Sequence, residues 1–270
     1  MVAKQRLDVQ VFESGLAPSR EKARAMIMAG EVLVDGERVD KPGTRIDADA
    51  QVTVKAKPRF VSRGGEKLAG ALAAFPIDVN AAICADVGAS TGGFTDCLLQ
   101  HGAARVYAID VGYGQLAHTL RQDARVIPME RTNARYVAAL PELVDLVTVD
   151  ASFISLRLLL PVLQRWLKPQ AAIMPLIKPQ FEAGPQDVGK GGVVRDARVH
   201  QRVLNDILTY ASEQGFAVKG LIRSPLTGPK GNIEFLAWLG WSASRTDAFL
   251  TNTDTASPPL TVEQLIQAAL

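Results

Sequence analysis

Asp86-Val87-Gly88-Ala89-Ser90-Thr91-Gly92-Gly93-Phe94 packs a carboxylate, three glycines and two hydroxyls into nine residues. A short apolar run, Ile83-Cys84-Ala85, ends in the acid, the glycines turn the chain, and a helical pattern continues through Leu98 and Leu99. Strand, turn and helix in that order form the ligand-side opening of a doubly wound α/β unit. A second strand, Arg105-Val106-Tyr107-Ala108-Ile109, ends in Asp110, an acid placed to accept both hydroxyls of a ribose. Position 90 is serine, so the glycines lack the G-x-G-x-x-G spacing of dinucleotide sites, and the loop suits a nucleoside without a pyrophosphate. S-Adenosylmethionine is the usual ligand of that kind. Asp86, Gly88, Gly92, Gly93, Asp110 and Asp150 are the residues expected to hold it. Phe94 has two readings, a core side chain or a cofactor contact. Asn133, after the third strand, either approaches the adenine or closes a turn.

These residues need a sheet to hold them. Strands are expected near 83–86, 105–110, 125–128, 144–149, 171–177, 216–222 and 233–239, with helices near 66–74, 93–101, 114–121, 155–167 and 198–214. The alternation implies a mostly parallel sheet covered on both faces. A loop joins the last two strands, which favours an antiparallel closing hairpin, the Rossmann-like methyltransferase layout. Residues 1–57 read differently. A short helix from Arg6 stops at Gly15, and a second starts after Pro18 with Ser19 as N-cap. On that second helix Ala23, Met26 and Ile27 share one face, and Arg20 and Arg24 another. Val32 to Val39 forms a hairpin about Asp35-Gly36, and a third strand covers 51–55. Residues 58–63 read as an interdomain linker. Residues 242–270, rich in Ser, Thr and Asp, read as a mobile tail with a short helix at 261–269.

The chain has 270 residues, 47% hydrophobic and 21% charged, with a formal charge of +2, which describes a soluble globular protein of two domains. Residues 1–60 carry 11 Lys and Arg against 9 Asp and Glu, and the rest carries 19 against 19, so charge alone does not announce nucleic acid. Cys84 and Cys97 lack C-x-x-C spacing and read as reduced core thiols of a cytoplasmic protein. No apolar signal segment or membrane-length run is present, so no membrane partner is expected. His101, His118 and His200 form no ligand cluster, and no metal is expected.

Two resemblances follow from the motifs. Arg6-Leu7-Asp8, Gly15-Leu16, Ser19-Arg20, Ala23, Ala29-Gly30, Val32, Val34, Gly36 and Val39 resemble the small S-four-like RNA-binding module of a ribosomal small-subunit protein. Residues 64–241 resemble FtsJ-like ribose 2′-O-methyltransferases. Arg59 to Leu68, Val149-Asp150-Ala151-Ser152-Phe153 and Ile177-Lys178-Pro179-Gln180-Phe181-Glu182 closely resemble the TlyA (hemolysin A) family of ribosomal RNA methyltransferases. The implied fold class is α/β, a Rossmann-like seven-stranded methyltransferase domain preceded by a small α+β RNA-binding domain. The implied cofactor is S-adenosyl-L-methionine, the implied partner is ribosomal RNA in its subunits, and the implied substrate is cytidine.

FtsJ-like families carry a Lys-Asp-Lys-Glu tetrad around the ribose hydroxyl, and the matching residues are Lys67, Asp150, Lys178 and Glu234. Asp150 follows Leu146-Val147-Thr148-Val149 and Lys178 follows Ile173 to Ile177, so both stand at carboxyl ends of strands, where open α/β sheets bind ligands. Glu234 is expected within a late strand and Lys67 on the helix before the first strand. The resemblance implies Lys178 as base, Lys67 as second cation, and Asp150 and Glu234 as orienting carboxylates. Base-amino methyltransferases usually carry Asp/Asn-Pro-Pro-Tyr/Phe where this chain has Asp150-Ala151-Ser152-Phe153, and neither cysteine stands where a carbon-5 enzyme needs its nucleophile. Ribose oxygen remains as the acceptor. Arg6, Arg20 and Arg24 are expected to contact RNA phosphates, as are Lys190 and Arg195 on the glycine-rich 184–192 loop and just beyond it. Two other classes compete: a non-catalytic RNA-binding or ribosome-assembly factor, which the intact tetrad opposes, and a membrane-active haemolysin, which the lack of a long apolar span opposes.

Overall fold

Aliphatic positions that recur every three or four residues near the N-terminus, and every two residues soon after, set the local structure of the first unit. The computed structural model describes residues 4–55, 58–243 and 260–270. The chain divides into two units, Met1–Pro58 and Arg59–Leu270. In the first, β1 (Lys4–Arg6) leads into α1 (Leu7–Glu13) and α2 (Arg20–Met28), followed by β2 (Val32–Val34), β3 (Glu37–Arg38), β4 (Arg45–Asp47) and β5 (Val52–Val54). Ser19 caps α2 by accepting from the Lys22 amide at 3.1 Å. Asp35 and Gly36 have φ of 49° and 84°, the mirror-image turn whose twist matches a two-residue hairpin. Leu7, Val11, Ala23, Ile27 and Val32 bury together as the core of this unit. The β1–β4 pair was not foreseen, because three-residue strands such as Arg-Ile-Asp carry almost no periodic signal.

In the second unit α3 (Gly64–Ala74) precedes an alternating series: β6 (Ile83–Val87), α4 (Gly93–Gln100), β7 (Arg105–Ile109), α5 (His118–Arg121), β8 (Val126–Met129), β9 (Val144–Val149), α6 (Leu156–Leu163) and β10 (Leu167–Ile177). Then come α7 (Pro179–Glu182), α8 (Ala197–Glu213), β11 (Ala217–Arg223), β12 (Phe235–Ser242) and α9 (Val262–Ala269). Seven strands of the described residues form one sheet in the order β11-β12-β10-β9-β6-β7-β8. β12 runs antiparallel to β10 and β11, and the pairs from β10 through β8 are parallel. From β6 the chain first builds outward through β7 and β8, then crosses to β9 on the other side. The carboxyl ends of β6 and β9 therefore flank the switch point, where a crevice opens.

Several expectations are corrected here. The helix expected over 114–121 is reduced to α5, because Gly114 takes φ 71° and gives its amide to Glu130 Oε1 at 2.8 Å. The helix expected to reach 167 is α-helical only to Leu163, continues as a 3-10 turn over Gln164–Trp166, and gives way to β10 at Leu167. Residues 59–63 do not behave as a linker: Phe60 is buried in the second core, the Val61 amide donates to Asp96 Oδ2 at 2.8 Å, and Gln100 Nε2 donates to the Arg59 carbonyl. Burial of an aromatic ring is worth more than the freedom of a free segment. The expected tail is corrected at its far end. α9 carries a capping box at Thr261 and Gln264, and Leu265, Ile266 and Ala269 join the core beside Leu204 and Leu208 of α8. Residues 244–259 of that expected tail lie outside the described residues.

Candidate active site

Two lysine–carboxylate pairs stand at the carboxyl end of the sheet. Lys178 follows β10 directly, and its Nζ lies 2.6 Å from Asp150 Oδ1, 3.3 Å from the Asp150 carbonyl and 3.0 Å from Ser152 Oγ. Three acceptors thus surround one ammonium. Lys67, on α3, gives its Nζ to Glu234 Oε2 at 2.5 Å. Both lysine side chains are about nine-tenths buried, at 10% and 9% exposure, and Glu234 is 1% exposed. Charges this enclosed are tolerated only when paired. Glu234 lies just before β12 and not within it. Its carbonyl accepts from Ser224, and its Oε1 crowds Gly228 so closely that any Cβ there would overlap it. Gln180 Nε2 donates to Glu234 Oε1 at 3.3 Å, so the turn that starts at Lys178 reaches the second pair as well.

Asp150 also opens onto a cavity of about 700 Å³, lined among others by Gly88, Ser90, Asp110, Asn133 and Phe153. Gly88, at φ 85°, is required by close approach: a Cβ would stand 2.7 Å from the Asp150 carbonyl. Asp110 accepts from the amides of Ser90 at 2.8 Å and Gly112 at 2.6 Å, which fixes its carboxylate at the rim of the cavity. Asn133 lines the same cavity and caps the turn 134–136 by accepting from the Arg135 amide, so both of its readings concern one exposed side chain.

The other expected cofactor residues lie elsewhere. Asp86 is fully buried and accepts from the Thr95 hydroxyl at 2.7 Å and the Thr148 hydroxyl at 3.2 Å. Burial pushes its carboxyl up to about 7, the Thr95 hydroxyl opposes the rise, and the Asp150 charge adds to it. Phe94 is 3% exposed within the second core. Gly92 packs under Leu116 and Leu120, and Gly93 against Ser62 and Gly65. None of these four is among the residues that line the cavity: Asp86 is turned into the sheet on the Thr95 and Thr148 hydroxyls, and Gly92, Gly93 and Phe94 pack against the side chains and backbone around α4.

In the first unit, Asp8 is 0% exposed and accepts from Arg6 Nε at 3.0 Å and Nη2 at 3.2 Å and from Arg20 Nε at 3.0 Å, while both arginine side chains stay about half exposed. Arg24 is exposed on the same helix as Arg20. Lys190 and Arg195 are exposed on a segment closed by a Gly189–Val193 bridge and tied down by buried Asn232, which accepts from the Val194 amide and donates to the Gly192 carbonyl. Sequence reasoning missed Ser152, Asn232, Gln180 and Phe153 as parts of the site. Phe153 is 89% exposed at φ 61°, with its ring 4.8 Å from that of Phe181. An aromatic residue in the left-handed region is a rare arrangement that only the folded chain reveals.

Comparison with known proteins agrees with this arrangement. Residues 60–241 match the FtsJ-like methyltransferase family and residues 5–52 match the S4 domain. YqxC of Bacillus subtilis, assigned as an rRNA methyltransferase, is 54% identical over 245 residues, covering 88% of this chain and 86% of the relative. The 16S/23S rRNA (cytidine-2′-O)-methyltransferase TlyA of Mycobacterium tuberculosis is 47% identical over 249 residues, 91% of this chain and 93% of its own. A solved structure from Streptococcus thermophilus that carries the hemolysin name is 43% identical, with a TM-score of 0.70 over 99% of this chain and 96% of its own. With an S4 domain ahead of an FtsJ-like methyltransferase domain, and relatives of the same extent, the chain belongs to the TlyA family.

Proposed function

We propose that this protein transfers a methyl group from S-adenosylmethionine to the ribose 2′-hydroxyl of cytidine in ribosomal RNA. One observation carries the reading: two enclosed lysine–carboxylate pairs, Lys67–Glu234 and Lys178–Asp150, stand together, and Asp150 opens into a nucleoside-sized cavity. The residues present fit the cofactor. Asp110 keeps lone pairs for ribose hydroxyls beyond its two amide bonds, Gly88 lets the cavity wall close against the Asp150 carbonyl, and Asn133 faces the same space. Bound there, S-adenosylmethionine supplies an electrophilic methyl on a sulfonium.

The chain's own residues handle the proton and the charge. A ribose hydroxyl attacks well only as its proton leaves. Lys178 Nζ receives that proton. Only a neutral amine can do so, so the ammonium held in the Asp150 ion pair must shed a proton before the transfer. Lys67, held by Glu234, supplies a fixed cation for the developing alkoxide. The new oxygen–carbon bond forms as the carbon–sulfur bond breaks, and the proton passes to the lysine side of the site, so the exchange balances. Alignment of the nucleophile supplies much of the rate. Phe153 offers an exposed ring beside the same cavity, a surface for stacking an unpaired base. Arg6, Arg20, Arg24, Lys190 and Arg195 supply phosphate contacts.

A binding protein without catalysis gains nothing from burying the charges of Lys67, Lys178 and Glu234, which disfavours the non-catalytic reading. The test is to map 2′-O-methyl groups on ribosomal RNA incubated with the purified protein and S-adenosylmethionine. New methylation at a cytidine ribose supports the reading. Methyl groups on bases alone, or none on intact subunits, would refute it.

A further inference from the structure

The turn after Lys178 holds a residue with no part in the chemistry above. Gln180 lies on α7, two residues beyond the proposed base. Its Nε2 donates to Glu234 Oε1 at 3.3 Å, while the other oxygen of the same carboxylate holds the Lys67 ammonium. Its own Oε1 is enclosed and has no hydrogen-bond partner among the described residues. An amide with an enclosed, unfilled acceptor is a poor choice for stability, because an apolar side chain of similar volume would fill the space without stripping water from that oxygen. The side of the amide that is used faces Glu234. That carboxylate is gripped at both oxygens, Oε2 by Lys67 and Oε1 by Gln180, and Gly228 closes the remaining approach to Oε1.

We infer that Gln180 is a positioning residue, holding the Glu234 carboxylate, and through it the Lys67 ammonium, in register with Lys178. The inference rests on the 2′-O-methylation reading above. One short turn thus carries both the proposed base and the grip on the opposite ion pair. The position requires a neutral donor. A carboxylate would set a second negative charge against Glu234, and an apolar side chain would leave Oε1 without its donor. The charged groups around the amide are Lys67 from α3, Glu234 before β12, and Lys178 with Asp150 at the ends of β10 and β9.

The experiment uses full-length protein with Gln180→Ala and Gln180→Glu. Methyl transfer from labelled S-adenosylmethionine to intact ribosomal subunits is measured as kcat and KM across pH 6 to 8.5, with cofactor affinity by calorimetry. Gln180→Ala should lower kcat by about tenfold or more, the scale of a misaligned catalytic group, and leave KM and cofactor affinity within about twofold. Gln180→Glu should be poorest at high pH, and its rate relative to wild type should climb as pH falls, because the introduced carboxyl regains a donor for Glu234 once protonated. A purely packing role would not give a ratio that depends on pH. A flat ratio, or an unchanged kcat in Gln180→Ala, overturns the inference while wild type remains active. A wild-type protein that methylates no ribose overturns the inference together with the functional reading beneath it.

Discussion

At the scale of single residues, the proposal stands on Lys178. Its ammonium has three acceptors, and one of them, the Asp150 carboxylate, opens toward the cavity. Replacing Lys178 with alanine should abolish methyl transfer while calorimetric binding of S-adenosylmethionine stays nearly intact. Lys178→Arg should fail as well, because a guanidinium does not give up its proton in this pH range. Tritium passing from labelled cofactor into ribosomal RNA is the readout, and appreciable turnover by the arginine variant would remove the base from the mechanism. Lys178 and Asp150 were legible in the sequence because each follows an apolar run, and a charge at the end of a buried strand has few roles other than chemistry. Gln180 and Phe153 were not legible. The importance of the first rests on a contact with a residue 54 positions away, and that of the second on a backbone conformation.

At the scale of elements, the four-residue α7 ties several parts of the site together. Pro179 begins it, Gln180 reaches Glu234, Phe181 meets Phe153, and Glu182 accepts from the Ser155 hydroxyl at 2.6 Å and the Leu156 amide at 2.8 Å at the start of α6. The Gly-rich loop shows a different division of labour. Sequence reasoning placed Asp86, Gly92 and Gly93 on the ligand and left Phe94 between core and cofactor contact; in the folded chain Asp86 and Phe94 are buried and the two glycines pack against neighbouring residues, and a pattern of residue types does not say which side of a loop each will face. The buried acid has a measurable consequence. Its folded carboxyl, near 7, lies above its ordinary value of 3.8, so between about pH 4 and 7 the folded protein holds a proton that the unfolded chain has released. This contribution to stability is therefore lost as pH rises through that window. Asp86→Asn should flatten the decline, as read from thermal midpoints taken at steps of pH. Equal slopes in the two proteins would contradict the shift.

At the scale of the whole chain, a mostly parallel seven-stranded sheet and its antiparallel last pair were legible from strand spacing and from the helix-free connection before β12. The boundary at residue 58 was legible as a change of pattern, but the segment after it was not, because one aromatic, Phe60, makes it part of the second core. A protein lacking residues 1–58 should therefore keep its fold and its cofactor affinity. It should need more RNA for half-maximal methylation, with a flatter dependence on salt, since the phosphate contacts proposed for Arg6, Arg20 and Arg24 would be gone. Methylation of intact subunits as efficient as that of the full chain, at equal salt, would remove the S4 domain from the role of RNA anchor. The far end of the chain should show the opposite behaviour. Ile266→Ala should cost about 2–5 kcal/mol in denaturant unfolding, the range for a buried aliphatic cut back to alanine, whereas exposed Glu263→Ala should change little.

The place of α9 in the core also sets an order of events during synthesis. The S4 domain has its own apolar cluster and needs only the first 58 residues. The larger cluster draws Leu265, Ile266 and Ala269 together with Val147 and Leu160, so it stays incomplete until those late residues have been made. At about 5–20 residues per second, the interval between the two is roughly ten to forty seconds. For that time the nascent chain carries a finished nucleic-acid-binding module with an unfinished enzyme behind it, while still tethered to a ribosome, a particle built from the class of RNA it is proposed to modify.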